Sequence, residues 1–587
     1  MRKQDSFSRQ WWRWSMLVAV FLISTWALAV TSGSYLSYFT SSVDVSQQAY
    51  GIYIPTSYSR FAKHPVIFIG HSFKGTVTGS FTYYQRSFAN SYGFLLVQVD
   101  GRGNCFYDGV GEIDLFEVLA DLQRLYTIDV DRLYFEGASM GATGAYRFGI
   151  RFPHIFAAVG GCDGFADYRA WYQQYYGPAD NPGEMAPCRI PNLAMASCVD
   201  IAGRAKWQHI WMTVDTGDTS VWPVNTYNLR DTLNSLGSAT AETDYQYTYD
   251  PNSGGHTAGY DQPSMYSYFR TITNNRYPKH VTLTTNRLKY GTQYWVRVDR
   301  LQTANVFAKV DAVANGNTIS VSTSNVLAYS LALDANLVST AQPVTIVTNG
   351  VVSYQGPAGV ISLYAQRTGD TITGWSTNDS ETNKAWKVAG LEGPIGDAFT
   401  SRFLVFYGAS GTATETNRAE AQEFCDKWNT WMKAGITPHP DTDLADMVNL
   451  PNWADTVYGD SNIILFGTIE SSAVLSALQA QLPVAAHDDR VVVGTKLFAG
   501  YQYGTFFVYP NPKNPQKYLV VSHGTIRVPA ITQQAWASDP DASAKDLEAL
   551  PWYWPDYVVF RTDIIPRATV QEKLAYLPDA FVEAGYF

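Results

Sequence analysis

Gly137-Ala138-Ser139-Met140-Gly141 reads G-x-S-x-G. It follows the short apolar run Arg132 to Glu136 and leads into Ala142, Gly144 and Ala145, small residues that open a helical pattern. A serine at a sharp strand-to-helix turn is the arrangement of a nucleophile elbow. Its hydroxyl is a weak nucleophile until an imidazole takes the proton and a carboxylate fixes the imidazole's tautomer. On such sheets the order along the chain is Ser, acid, His. Downstream, the run His209 to Val214 enters Asp215-Thr216-Gly217-Asp218, and Gly254-Gly255-His256-Thr257 follows the strand-like run Tyr245 to Tyr249. Both segments sit just past strand C-terminal ends, where such sheets keep their sites. Of the nine histidines, His154 reads as a helix cap, His209 begins a strand, and His280, His439, His487 and His523 lie outside this unit. His256 therefore takes the role of base. Asp218 takes that of acid, because Gly217 before it permits a tight turn and Val221 after it can re-enter the core. The competing arrangement has Asp218 capping the next helix and Asp215 orienting the imidazole. An oxyanion would be held by the N–H of Met140 and by one from Gly70-His71-Ser72-Phe73-Lys74-Gly75, with His71 and Ser72 as alternatives. No C-x-x-C or His cluster has metal spacing, so no structural zinc is expected.

Positioning such a triad takes a sheet with helices between its strands. Pro65 to Ile69, Phe94 to Val99, Arg132 to Glu136, Phe156 to Gly160 and His209 to Val214 read as strands. Leu115, Val118, Leu119, Leu122 and Leu125 repeat at helical spacing, with Asp114 as the expected N-cap. Strands alternating with helices imply βαβ units and a mostly parallel sheet. Between Asp163 and Lys206 lies an aperiodic insertion carrying Tyr168, Trp171 and Tyr172, which reads equally as substrate wall or as packing. After Lys279 the pattern turns to short alternating strands with Asn/Gly turns, a small β-sandwich. Past Lys387, strand and helix alternate again. The expected division is residues 1–30 as signal peptide or anchor, 45–275 as an α/β catalytic unit, 280–375 as an all-β module and 385–587 as a second, smaller α/β domain. Gly408-Ala409-Ser410-Gly411 in the last of these lacks one spacer of the elbow pattern and reads as a turn.

A chain of 587 residues exceeds one hydrophobic core. With 16% charged and 14% aromatic residues it is globular in composition, and a net charge of −10 argues against nucleic acid as a partner. Arg2, Lys3, Arg9 and Arg13 precede an apolar run from Met16 to Val30 that ends Ala27-Leu28-Ala29. That pattern fits a cleaved secretory signal first and an uncleaved membrane anchor second, and either carries the rest out of the cytoplasm. In an oxidising compartment Cys188 and Cys198 could close a short loop.

From about Pro65 to Phe269 the chain resembles secreted α/β-hydrolases of the prolyl oligopeptidase-like esterase group, near feruloyl esterases and polyhydroxybutyrate depolymerases. The resemblance rests on D-V-D-R-L-Y-F-E-G-A-S-M-G-A-T-G-A-Y-R (Asp129 to Arg147), R-F-P-H-I-F-A-A-V (Arg151 to Val159) and G-D-x-x-V (Gly217 to Val221). It also places the acid at Asp218. G-L-E-G-P-I-G-D-A-F (Gly390 to Phe399) resembles a segment of multidomain bacterial members. The usual His-Gly after the oxyanion strand is here Gly70-His71. The resemblance implies ester or peptide hydrolysis through an acyl-enzyme, ester first, without a cofactor. A non-catalytic surface-binding scaffold is the alternative of another class, and a chain ending near Asn275 is expected to keep small-ester activity if it folds.

Overall fold

In this computed structural model, residues 31–176, 194–240, 244–382, 384, 386–524, 555–561 and 581–587 are described. The N-terminal residues 1–30, and with them the expected signal or anchor, lie outside that set, as does Cys188. Among the described residues no helix is long and apolar enough to cross a membrane.

The first unit is an eight-stranded sheet: β1 (Gly33–Thr40), β2 (Gln47–Ile54), β3 (His64–Gly70), β4 (Leu95–Val99), β5 (Ile128–Ala138), β6 (Ala158–Cys162), β7 (His209–Asp215) and β8 (Gln246–Asn252). The spatial order is β1-β2-β4-β3-β5-β6-β7-β8. β1 and β2 are antiparallel, and every pair from β4 to β8 is parallel. The helices are α1 (Tyr83–Tyr92), α2 (Val110–Leu125), α3 (Met140–Arg151), α4 (Tyr168–Tyr176), α5 (Val224–Thr240) and α6 (Gln262–Phe269). This is the α/β-hydrolase fold. Its central strands are apolar on both faces: Val66, Phe68, Leu133, Phe135, Val159 and Ile210 are buried in one core and Ile67, Leu96, Tyr134 and Ala158 in another, as a doubly covered parallel sheet requires.

Local chemistry starts and stops these elements. Thr82 and Gln85 close a capping box on α1, and Gly93 ends it in the left-handed conformation. One expectation needs correction at α2. Gly109 is its N-cap, and Asp114 lies inside the helix, where its carboxylate binds Arg102. The ion pair outcompetes the cap because Arg102 is itself buried and must be neutralised.

Strands from His280 to Ser376 form two five-stranded sheets sharing one core that includes Leu283, Trp295, Val310 and Tyr329. The C-terminal unit has a seven-stranded sheet. Its strands Phe403–Tyr407, Asn462–Phe466 and Asn514–His523 run parallel, and Tyr503–Asn511, Tyr557–Arg561 and Phe581–Gly585 add antiparallel neighbours.

These units are not beads on a string. Val43, Cys105 and Val110 of the first unit pack in one core with Ile395, Phe399, Phe403 and Trp428 of the last. Trp428 Nε1 donates to Asp44 at 2.9 Å, and Arg102 donates to Asp44 and to the Met432 carbonyl. The Gly390–Phe399 segment is a junction: Glu392 accepts from the N–H groups of Leu288 and Lys289, and Asp397 bonds Arg287 and Tyr518. The expectation that a chain ending near Asn275 keeps its activity is revised accordingly, since such a chain would expose this shared core.

Candidate active site

β5 runs into α3 through Ser139, whose backbone stands at φ 55°, ψ −119°. That conformation is sparsely populated for a non-glycine residue and is held by its surroundings. Its N–H bonds the Cys162 carbonyl at 2.8 Å, and its own carbonyl accepts from Thr143. The flanking glycines let this happen. A Cβ on Gly137 would lie 2.5 Å from the Gly141 carbonyl carbon, and one on Gly141 would lie 2.3 Å from the Gly70 carbonyl oxygen. No side chain larger than hydrogen fits where strand and helix cross. Met140 opens α3, so its N–H belongs to a helix N-terminus that attracts negative charge.

His256 and Asp218 meet. His256 Nδ1 lies 2.7 Å from Asp218 Oδ2. The Asp218 side chain is fully buried and the imidazole is 29% exposed. Asp218 Oδ1 accepts from the N–H groups of Ser220 and Val221, which fixes the carboxylate in the turn after β7. Asp215 does not face His256 in this way. Its Oδ2 accepts from the Gly259 N–H at 2.9 Å, and its N–H donates to Asp163 Oδ1. Among the described residues no hydrogen bond joins Ser139 Oγ to His256, a contact that often closes only when substrate is bound.

The loop after β3 is tied to the elbow. Ser72 Oγ donates to the Ala138 carbonyl at 3.0 Å. His71 lies with Nδ1 2.8 Å from the Ser72 carbonyl and Nε2 2.9 Å from the Asp100 carbonyl. Asp100 in turn takes both carboxylate oxygens to Lys433 Nζ, at 2.7 Å each. The C-terminal unit thus reaches the expected oxyanion loop through one lysine and one aspartate. Sequence reasoning missed Lys433, since 333 residues separate it from Asp100.

The described part of the insertion packs onto the first unit. Tyr168 is buried with Phe165, Ala196 and Val221, and the Arg147 guanidinium lies over its ring. Trp171 stacks on Phe165 with ring centroids 4.5 Å apart. Tyr168 thus packs the start of the insertion onto the first unit. The side chain of Tyr172 lies outside the described residues. Gln174, which the sequence did not single out, donates to the carbonyls of Thr219 and Ser220 and accepts from the Trp222 N–H, so it pins α4 to the acid's turn.

Behind the elbow, Glu136 of β5 is buried and accepts from Tyr266, Gln262 and Tyr260. Burial pushes its carboxyl up to about 7 against the pull of those hydrogen bonds. His154 is no cap but a half-buried ring, which desolvation and the nearby Arg204 and Arg276 push down to about 3.

No family model matches the chain, and no curated protein matches it. Solved structures similar to part of it include a ferulic acid esterase (18% identity, TM-score 0.33, 42% of this chain and 98% of that one). An S-formylglutathione hydrolase from Agrobacterium tumefaciens follows at 13% identity and TM-score 0.30, with 41% of this chain and 94% of that one. An acylaminoacyl peptidase from Pyrococcus horikoshii is similar at 16% identity and TM-score 0.33, but there the match spans 43% of this chain and only 41% of the peptidase. At these scores the likeness carries no argument about reaction, and the fold rests on the strand order and the elbow themselves.

Proposed function

We propose that the chain is a serine hydrolase that cleaves carboxylic esters through an acyl-enzyme. The observation that carries this reading is the strained Ser139 at the elbow, together with the buried Asp218 bonded to His256. Ser139 Oγ attacks the acyl carbonyl while His256 Nε2 takes its proton. Asp218 holds Nδ1–H and stabilises the imidazolium that forms. The Met140 N–H and a donor from the His71–Ser72 loop receive the oxyanion. His256 then protonates the departing alkoxide, and water repeats the sequence to release the acid. Esters stand ahead of peptides because the motifs at Asp129 to Arg147 and Gly217 to Val221 resemble the esterase group. The N-terminal charge and apolar pattern supports an extracytoplasmic location.

The test is fluorophosphonate labelling of the intact chain, followed by hydrolysis of p-nitrophenyl acyl esters, methyl ferulate and Xaa-Pro peptides. Labelling at Ser139 with ester turnover is the expected result. Turnover of the peptides alone would move the substrate class to peptidase. No labelling and no turnover would leave the scaffold reading.

A further inference from the structure

Phe61 is the most exposed large apolar side chain among the described residues, at 93%. Single apolar side chains on a surface are ordinary, but the setting of this one is not. It stands in Arg60-Phe61-Ala62-Lys63, in the loop between β2 and β3, and all four residues are exposed. Among the described residues neither Arg60 nor Lys63 has an ion-pair partner. The loop is held in place: the Tyr58 N–H bonds the Pro55 carbonyl, the Arg60 carbonyl accepts from Thr127 Oγ1 at 2.8 Å, and the Ser59 N–H donates to His64 Nε2. Two more exposed apolar side chains stand at this end. Leu125 closes α2 two residues before Thr127, and Tyr92 closes α1, where the next carbonyl, of Gly93, lies 2.8 Å from His64 Nδ1. The Arg270 guanidinium lies over the Tyr92 ring, 4.7 Å from its centroid. The acids of this end are engaged: Asp121 bonds Arg124 and Tyr50, Asp131 bonds Arg276, and Asp129 accepts from the Asp131 N–H. The loop thus keeps two uncompensated cations in a chain of net charge −10.

This is also the end at which the chain enters the fold. Gly33 opens β1 and lies opposite Ile54, the last residue of β2 before the loop. The apolar run Met16 to Val30 ends three residues before Gly33, and three residues span at most about 10 Å. A bilayer that takes up this run therefore has the Gly33 end of the first unit against its surface. We propose that the Arg60–Lys63 loop is a membrane-docking surface: Phe61 enters the headgroup region of an anionic phospholipid bilayer, and Arg60 and Lys63 bind its phosphates. An aromatic ring between cations suits that boundary, where the ring leaves water and the charges meet anionic lipid. The proposal does not depend on the reaction assigned above, but it gives that reaction a direction. β3 and β5 begin at the docking end, and Ser139 follows the far end of β5. Docking therefore turns the Ser139 end away from the bilayer, toward substrates that arrive through water and not toward lipid esters.

The test puts an environment-sensitive fluorophore on the loop of the whole chain, through Phe61→Cys in a Cys188→Ser background. Cys105, Cys162, Cys198 and Cys425 are buried, so position 61 is the thiol that reacts. The reference is Tyr83→Cys, labelled in the same way. Tyr83 is exposed at the opposite end of the ten-residue α1, about 15 Å from Tyr92, and an interfacial group sinks only about 5–10 Å. With vesicles of phosphatidylcholine and phosphatidylglycerol, the label at 61 should shift to the blue and be quenched at least about twofold by spin-labelled lipid, while the label at 83 stays as in water. No shift at 61 would overturn the docking, and an equal shift at 83 would overturn the orientation. On vesicles of phosphatidylcholine alone the shift should largely disappear, as it should on the anionic vesicles when Arg60→Ser and Lys63→Ser are added. A shift that persists in either case would overturn the choice of an anionic surface. The readout is local, so it decides the same question whether the apolar run is retained or cleaved, and all the altered loop positions are exposed ones that the core does not need.

Discussion

Two mixed sheets in this molecule each hold a parallel strand that ends in a glycine-rich turn carrying a serine, and the two serines differ in backbone and surroundings. At the end of β5, Ser139 is forced to positive φ by the crossing of strand and helix, and a buried Asp218 bonded to a half-exposed His256 stands past the ends of β7 and β8. At the end of Phe403–Tyr407, the carboxylate beside the turn Gly408-Ala409-Ser410-Gly411 has both oxygens engaged. Asp441 accepts from the Ala409 N–H and from Ser472 Oγ, Asn417 donates to the Gly408 carbonyl, and Ser410 N–H bonds the Ser471 carbonyl. Its nearby carboxylate is consumed in building the turn. The two turns differ in backbone strain and in a carboxylate left over to hold an imidazole, and not in the presence of Gly and Ser.

The sharpest way to break this contrast is at the serines. Ser139→Ala should lower ester turnover by roughly 10⁶-fold if the triad works as a unit, with little change in the thermal melt. Ser410→Ala should leave turnover within about twofold. Residual activity of a few per cent in the first variant would place the nucleophile elsewhere.

The acids come next. Asp218→Asn should lower kcat at neutral pH by at least about a hundredfold, since an acid that fixes the tautomer is worth about 10⁴. A wild-type rate would mean that the Asp218–His256 contact serves the loop alone.

The seam between the two units yields a stability effect. Arg102 is buried between Asp44 and Asp114, so Arg102→Ala leaves two carboxylates unpaired and should cost about 3–5 kcal/mol, read by denaturant unfolding of the whole chain. A cost under about 1 kcal/mol would show that the units tolerate separation.

The pH dependence sharpens the comparison further, because the carboxyls pushed up to about 7, those of Asp114, Glu136 and Asp163, lie in the first unit. Glu136 is held at about 7 against 4.5 in the unfolded chain. A raised carboxyl stabilises fully below its unfolded value, and that contribution disappears as pH rises through the folded one. Stability should therefore fall between about pH 4.5 and pH 7 by at most about 3 kcal/mol from this group, and Glu136→Gln should flatten that slope. A slope identical to wild type would exclude Glu136 as its source.

The smallest effect is at the link to the oxyanion loop. Lys433 is 45% exposed, so its bridge is screened, and Lys433→Ala should lower kcat by about two- to fivefold with the melt nearly unchanged. An unaltered kcat would disconnect the C-terminal unit from the chemistry.

Much of the fold was legible because βαβ units write themselves locally. Apolar runs such as Phe94 to Val99 and the leucine spacing from Leu115 to Leu125 need no distant partner to be recognised. The G-x-S-x-G turn and the Ser-acid-His order placed Ser139, Asp218 and His256 for the same reason: each sits at the end of a readable strand. The antiparallel edge was missed. In Gly33–Thr40 most residues are exposed, so the sequence carries no clean alternation there. Asp114 was assigned to a cap because its real partner, Arg102, is chosen by tertiary burial. Asp163 and Gln174 escaped because their roles are hydrogen bonds to backbone atoms of other loops, which leave no pattern in residue type.

The core shared by the first and last units has a consequence for how the chain is made. Asp44 emerges from the ribosome early, and the indole that bonds it, Trp428, is 384 residues later. At about 5–20 residues per second, roughly 20 to 80 seconds of synthesis pass before that partner exists. Through that interval the face of Val43, Cys105 and Val110 stays uncovered, and Arg102 lacks the carbonyl cap that Met432 provides. The nascent first unit thus has an apolar surface that is sealed only from the far end of the chain.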